Sequence, residues 1–597
     1  MSSRGHRAWA ALACAGALTL TGCDLGDGDE AARTGGSGAD DGDRGGFLGL
    51  GGDPDPLRAS LVEPGTQTGV VPGTEAHELA VGVAEALVAS APVVVLAAED
   101  EGLRAASAAV ALGVPVVVDG PGTAEQLDRL GTEVALALGP VSDPGIDVVV
   151  PGSDDELADL LGIDQGAVTV SAEEAAQRLA ELDPTDPQLL VPSADAATAP
   201  PPDGVSSTGD AATSTAAATD TAGRTAAPGD DAGTTAPEPL TSDRDELPVT
   251  TAPEPVGQVT VLTDGAPAGL AALGTARAAG ARVLVGPHTD PRADSATIQA
   301  LAGSGEGAVL GLGDSYGGSE DLAWKVSTAR TGVELPGGGQ LTLPGKTYVA
   351  LYGTPSTGAL GVLGEQPIEQ TIERAEEHAG WYAELTDETV VPTHEIIVTV
   401  ASAGPGADGN YSEEIPVADL EPLVDLAEEH GHYVVLDLQP GRTDFRTQAE
   451  LYEELLLRPH VGLALDPEWR IGPDEVHLVR IGHVEAREVN EVVDYLADLT
   501  RENDLPQKVL VLHMFQNRMI PDVEEVDLSR EELAVLIHVD GQGAQPDKQT
   551  TWHTLRQHAP SVEHWGWKNF YDEDVPMLSA EETMTLVEPT PDFISYQ

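Results

Sequence analysis

From about residue 75 onward, short apolar runs alternate with longer stretches of helical period. Runs 92–98, 114–119 and 134–139 are rich in Val, Ala and Leu and predict strands. Residues 77–90, 101–112 and 123–130 predict helices around them. Strands without a polar face belong in a parallel sheet covered on both sides. Residues 147–152 and 167–170 are candidates to extend it. The same order returns at 258–262, 266–279, 281–285, 295–302 and 308–312, which makes an internal repeat. Between the copies, residues 189–256 are dominated by Ala, Thr, Pro, Asp and Ser and predict a disordered linker.

A Gly-rich joint at 337–345 opens a different pattern. Strands are predicted at 348–353, 395–402, 433–439, 461–468, 508–515, 533–540, 563–569 and 592–597. Helices are predicted at 368–379, 417–429, 448–457, 486–502, 551–558 and 580–586. This count and order over 347–597 predict a (β/α)8 TIM-barrel-like domain, with an open doubly wound sheet as the alternative. The predicted fold class is therefore α/β: a split parallel three-layer module, its halves at 71–188 and 257–335, followed by the barrel.

Strand alternation then sorts the barrel residues. Val461, Leu463 and Leu465 take one face of their strand. Gly462, Ala464, Asp466 and Glu468 take the other, a small-residue face suited to a crowded barrel interior. Polar residues collect at the inward C-terminal ends. They are Asp437 and Gln439; Asp466 and Glu468; His513 with Gln516 just beyond; His538 and Asp540; Lys568 flanked by Trp565 and Trp567; and Tyr596 or Gln597, depending on register. Val434, Leu436, Leu438, Leu510, Leu512, Met514, Val535, Ile537 and Val539 form the outward set. Acids and histidines inside a barrel are costly unless paired or chemically used, so the rim is the candidate site.

Composition sets the partners. The 597 residues carry 100 acidic against 30 basic side chains, a formal net charge of −70, which excludes nucleic acid by electrostatics. Residues 1–22 combine a basic start with a short apolar run, as a targeting segment does. Leu20-Thr21-Gly22-Cys23 resembles the lipobox of bacterial lipoproteins. The resemblance implies cleavage before Cys23, lipidation of its sulfur with fatty acyl chains such as palmitate, and anchoring on the extracytoplasmic face of the cell membrane. The stretch 23–70 then reads as a flexible tether.

The runs LRAASAAVALGVPVVV (103–118), LDRLG (127–131), VALALG (134–139) and GLAALGTARAAGARVLV (269–285) resemble the cell-wall-binding repeat type 2 family. That resemblance implies attachment to cell-wall polymer. The chain departs from it in having Gly139-Pro140 and Gly311-Leu-Gly313 where the family closes each repeat with Gly-Gly. The runs VVLDLQPGR (434–442), GLALDPEW (462–469), LPQKVLVLH (505–513) and PDFISYQ (591–597) resemble the barrel of uncharacterised lipoproteins of high-GC Gram-positive bacteria, which brings no activity with it.

Two carboxylates among Trp and Tyr suit a sugar, because aromatic faces stack on pyranose rings and a carboxylic acid protonates a glycosidic oxygen. Asp466-Pro467-Glu468 resembles the Asp-x-Glu that ends strand four in chitinase-like and muramidase-like barrel glycosidases. The resemblance implies Glu468 as general acid and Asp466 as the residue that orients it or stabilises the positive charge. Asp540 or Asp437 would be the second carboxylate. Gly462 and Ala464 stand where the chitinase pattern has earlier acids, and Lys568 where retaining barrels place a Glu. A metal-dependent hydrolase using His513, His538, Asp540 and Asp437 is the weaker reading, because strand one lacks an inward His-x-His pair. A non-catalytic barrel holding glycan through Trp552, Trp565 and Trp567 is another alternative. The expectation is a lipid-anchored envelope protein that binds cell-wall polymer or other glycan, with no metal and no cofactor.

Overall fold

The computed structural model describes residues 55–193, 240–255 and 257–597. The targeting segment, Cys23, most of the predicted tether and the middle of the predicted linker lie outside the described residues. No helix among the described residues is long and apolar enough to cross a membrane.

Each copy of the repeat builds its own sheet. In the first, Val116–Val118, Val93–Ala97, Val134–Leu138 and Asp147–Val149 lie side by side, all parallel. In the second, Arg282–Val285, Val259–Thr263, Ala308–Leu312 and Thr68–Val71 repeat that arrangement. Both sheets put the first strand of the copy between the second and third, as an internal repeat requires. The fourth strand of the second sheet comes from the N-terminal stretch expected to be tether, where Val70 and Val71 supply the apolar pair.

The copies meet through helices Gly102–Leu112 and Leu270–Ala278. Gly274 allows their backbones to touch, since a Cβ there would lie 2.3 Å from the Cα of Ala106. One apolar cluster joins this pair to both sheets, through Val94 and Leu96 on one side and Val261 and Leu310 on the other. The linker is also narrower than its composition suggests. Leu190–Pro192 pairs with Val168–Val170, and Ser242 and Asp243 hold the backbone of Val150 and Val148. The buried Leu189, Leu190 and Val191 supply the apolar surface that the Ala- and Thr-rich middle lacks.

All eight predicted barrel strands form, as Lys346–Gly353, Thr389–Ala401, Tyr433–Leu438, Val461–Leu465, Lys508–Met514, Leu533–Val539, His564–Asn569 and Phe593–Tyr596. They are numbered one to eight below. Every neighbouring pair is parallel, and strand one pairs with both two and eight, so the sheet closes. Helices follow most strands. The link from five to six carries only the 3-10 turn Val523–Glu525 and no α-helix.

Alternation works as the sequence implies. The outward set packs under the helices, with Ile372, Leu423 and Val492 in the same cluster. Inward, Tyr348, Tyr433, Val435, Val509, Val511, Leu536 and Phe593 fill the lower barrel. Gly462 is the space they need. A Cβ there would meet the Tyr433 hydroxyl at 2.9 Å, and that hydroxyl accepts from Val509 N at 3.1 Å. Leu335 and Leu343, from the segment entering the barrel, close its N-terminal end.

The α/β module grips that same end. Arg292 is buried, ion-paired to Asp290 at 2.8 Å and stacked 4.3 Å from the Trp324 ring centre. Lys325 reaches Glu531 at 2.6 Å and Arg501 reaches Asp321 at 3.1 Å, both across the junction. The C-terminal rim is therefore at the end away from the module.

Candidate functional site

The inward alternation that fills the lower barrel with apolar side chains delivers polar ones at the top. Strand one brings Tyr352, strand two Glu395, strand three Asp437, strand five His513, strand six His538, strand seven Lys568 and strand eight Ser595. Asp466 follows strand four directly. Glu468 sits in the 3-10 turn Pro467–Trp469, and Asp540 one residue past strand six.

The turn carrying Glu468 is held at both ends. Asp466 N donates to Leu438 O at 3.1 Å, and Gly482 N donates to Glu468 O at 2.7 Å. Arg470 pairs with Glu488 at 2.8 Å behind it. The loops after strands six and seven are tied by the buried Lys548. Its ammonium donates to Lys568 O at 2.6 Å and to Asp574 Oδ2 at 2.5 Å. Asp574 in turn accepts from the backbone of Phe570 and Gly543.

His513 is the hub. Its Nε2 is 2.8 Å from Glu395 Oε1, its Nδ1 3.1 Å from Asp540 Oδ2, and Asp437 Oδ1 is 4.0 Å away. Burial disfavours a charge on it, but Glu395 and Asp540 outweigh that and hold the imidazolium well above the usual histidine range. Tyr352 donates to Asp437 Oδ2 at 2.8 Å, and Lys568 stands 3.3 Å from the Tyr352 ring centre. His538 Nε2 is 2.7 Å from Ser595 Oγ.

Depth separates the acids. Burial pushes the Asp437 carboxyl up to about 6, and pushes Asp466 well above the carboxylate range with help from Glu468 and Asp437. Glu468, nearer solvent, is pushed up to about 7, first by burial and then by the charge of Asp540. For Asp540 burial works upward, but His513 and Lys568 prevail and hold it below the ordinary value. The rim thus sets Glu468, its carboxyl raised to about 7, in the field of Asp540, whose carboxyl is held low. Neighbouring carboxyls with opposed protonation are what acid–base chemistry near neutrality requires.

Several expected members stand elsewhere. Trp565 and Trp567 face outward, because they have the opposite parity to Gly566 and Lys568. Both pack under the helices, edge-on to Trp552 at 5.8 and 5.7 Å. Tyr596 also points outward, with its hydroxyl 2.5 Å from that of Tyr382. None of the three faces the rim interior. Gln439, one residue past strand three and on the parity of Asp437, does join the network: it accepts from Ala401 N at 3.0 Å, and its Nε2 donates to the Tyr352 hydroxyl at 3.4 Å. Gln516 is half-buried past strand five, where its carbonyl accepts from Met519 N at 3.0 Å.

Glu395, Tyr352 and Ser595 are members that sequence reasoning missed. Strand two starts six residues before the expected 395, so Glu395 lies within it rather than at its start. A lone acid inside the run THEIIVTV was the available signal. Tyr352 follows from the alternation Tyr348, Ala350, Tyr352. Ligand atoms of Glu395, His513 and His538 lie within 4.8 Å of one another, which makes them candidates to hold a metal ion.

No protein-family model matches the chain, and no curated protein matches it in sequence. Among solved structures, 7,8-dihydropteroate synthase from Vibrio fischeri ES114 is 12% identical over 42% of this chain and 87% of its own, with a TM-score of 0.24. Cwp6 from Clostridium difficile is 10% identical over 63% of this chain and 66% of its own, at 0.27. A mutant cellobiohydrolase, CcCel6C in its closed form, is 12% identical over 46% and 68%, at 0.19. Similarity at this level carries no argument about activity.

Proposed function

We propose that this chain is a lipid-anchored cell-envelope protein whose α/β module holds cell-wall polymer and whose barrel hydrolyses a glycan. The observation that supports the hydrolytic reading is the pair Glu468 and Asp540, one carboxyl raised to about 7 and the other held ionised, at the accessible rim of a closed barrel. In this reading Glu468 protonates the glycosidic oxygen as the bond breaks. Asp540 supplies the negative charge that a developing oxocarbenium ion needs, or activates the water. The bond from Gly482 N to Glu468 O keeps the turn of Glu468 in place, and Lys568 fixes a substrate hydroxyl or the departing oxygen. The anchoring part of the proposal rests on the lipobox at Cys23 and the wall-binding part on the repeat pattern.

The test is sugar release from purified cell-wall glycan and an oligosaccharide panel by the purified chain, beside Glu468→Gln. Release that the substitution removes supports the acid assignment. Release that survives it refutes the assignment, and no release with both proteins retained on the wall material replaces the hydrolase with a glycan-binding protein.

A further inference from the structure

The barrel throat below the rim holds more acceptor capacity than the chain itself fills. Glu395 Oε2, Asp437 Oδ1 and His538 Nδ1 have no hydrogen-bond partner, and all three residues are fully buried. Buried polar atoms are normally paired, so three orphans around one histidine call for an occupant. Geometry gives the same answer: one ligand atom from each of Glu395, His513 and His538 lies within 4.8 Å of the others.

We propose that Glu395, His513 and His538 form a binding site for one transition-metal dication of the zinc class, with Asp437 in reach as a further ligand. Two imidazoles and a carboxylate favour such an ion over magnesium or calcium, which take oxygen ligands. The surroundings match what orients histidine ligands. His513 sets its Nδ1 on Asp540, leaving Nε2 on the side of Glu395 and Asp437. His538 is fixed by Ser595 at 2.7 Å. A carboxylate or hydroxyl behind each ligating imidazole fixes its ring and tautomer. Tyr352, donating to Asp437 Oδ2, leaves Oδ1 free for the ion.

The site is tested by binding alone, whatever the outcome of the hydrolytic test. The untagged full chain is stripped with chelator, incubated with Zn2+ or Co2+, desalted and analysed for metal. The result expected is one equivalent per chain, with a visible Co2+ spectrum of a four- or five-coordinate nitrogen and oxygen site. Ser595→Ala, which disturbs only the group behind His538, lowers affinity about 10-fold or more. Glu395→Gln abolishes the spectrum, while Glu468→Gln retains it. Substoichiometric metal with no Co2+ spectrum in the folded wild-type chain overturns the proposal and leaves His513 as a metal-free imidazolium between Glu395 and Asp540. Full binding by folded Glu395→Gln overturns the assigned ligands.

Discussion

Glu468→Gln is expected to make the protein more stable at alkaline pH while removing the proposed hydrolysis. The groups facing Glu468 are Asp466, Asp540, Asp437, His513 and Lys568, and burial with the Asp540 charge is what raises its carboxyl. An acid whose folded pKa exceeds its unfolded value binds more protons in the folded state. It therefore weakens the fold as pH rises, with no penalty below about 4.5 and the full penalty above about 7. At about 1.4 kcal/mol per pH unit, that window corresponds to at most about 3.5 kcal/mol. Partial exposure at the rim screens part of it, so ~1–3 kcal/mol is expected. Glutamine keeps the shape and cannot ionise, so the penalty disappears. The assay is urea unfolding of wild type and variant at pH 5 and pH 8, in chelator, followed by fluorescence of the buried Trp552, Trp565 and Trp567. The variant should gain at pH 8 and gain far less at pH 5. An equal difference at the two pH values, or a loss at pH 8, refutes the electrostatic account of Glu468 and with it the basis for calling it the acid.

Other changes test other links. If the acid assignment holds, hydrolysis falls as pH rises through about 7, because Glu468 loses its proton there; a flat rate from pH 6 to 9 contradicts it. Trp567→Ala should cost ~3–5 kcal/mol through lost packing, yet leave glycan affinity of the folded protein unchanged, because the ring lies under the helices. Lys548→Met should cost ~3–5 kcal/mol by stranding the buried Asp574 carboxylate, read as a lowered unfolding midpoint. Gly274→Val should destabilise the α/β module by several kcal/mol, against a helix-propensity gain of under ~1 kcal/mol, because its Cβ overlaps the Ala106 backbone; a neutral result by circular-dichroism melting removes that helix contact from the account.

How much of this was legible in the sequence depends on which physical rule fixes each feature. Eight apolar runs in period two, separated by helical patterns, gave the barrel and its strand order, because burial on both faces leaves few other homes for such strands. The repeat was legible for the same reason. The strand Thr68–Val71 was not, because Thr-Gly-Val-Val carries too little pattern alone and gains its place only from the exposed edge of Ala308–Leu312. The linker ends were hidden likewise: Leu189 to Val191 look like a brief exception within a polar tract until Val168–Val170 offers a partner.

At the site the decisive quantity was parity. Where the start of a strand was read correctly, as for strands three, five and six, Asp437, His513 and His538 appeared inside as alternation demands. Where the flanking aromatics were grouped with Lys568 by proximity rather than by parity, they were assigned to the wrong face. One residue along a strand turns a side chain by half a revolution, so Trp567 and Lys568 belong to different compartments although they are adjacent. The same rule explains Glu395. Once strand two begins at Thr389, Glu395 enters the interior beside His513, and the rim changes from a row of separate acids into a network centred on one imidazole. That network couples the two proposals physically. A dication at Glu395 and His513 would draw negative charge from the neighbourhood of Asp540 and Asp437, so it would lower the carboxyl of Glu468. If both proposals hold, loading the stripped protein with Zn2+ should move the alkaline limb of hydrolysis to lower pH, and chelation should restore it. An alkaline limb that stays fixed while one equivalent of metal is bound would mean that the ion and Glu468 do not share a field, and would place the ion elsewhere in the chain.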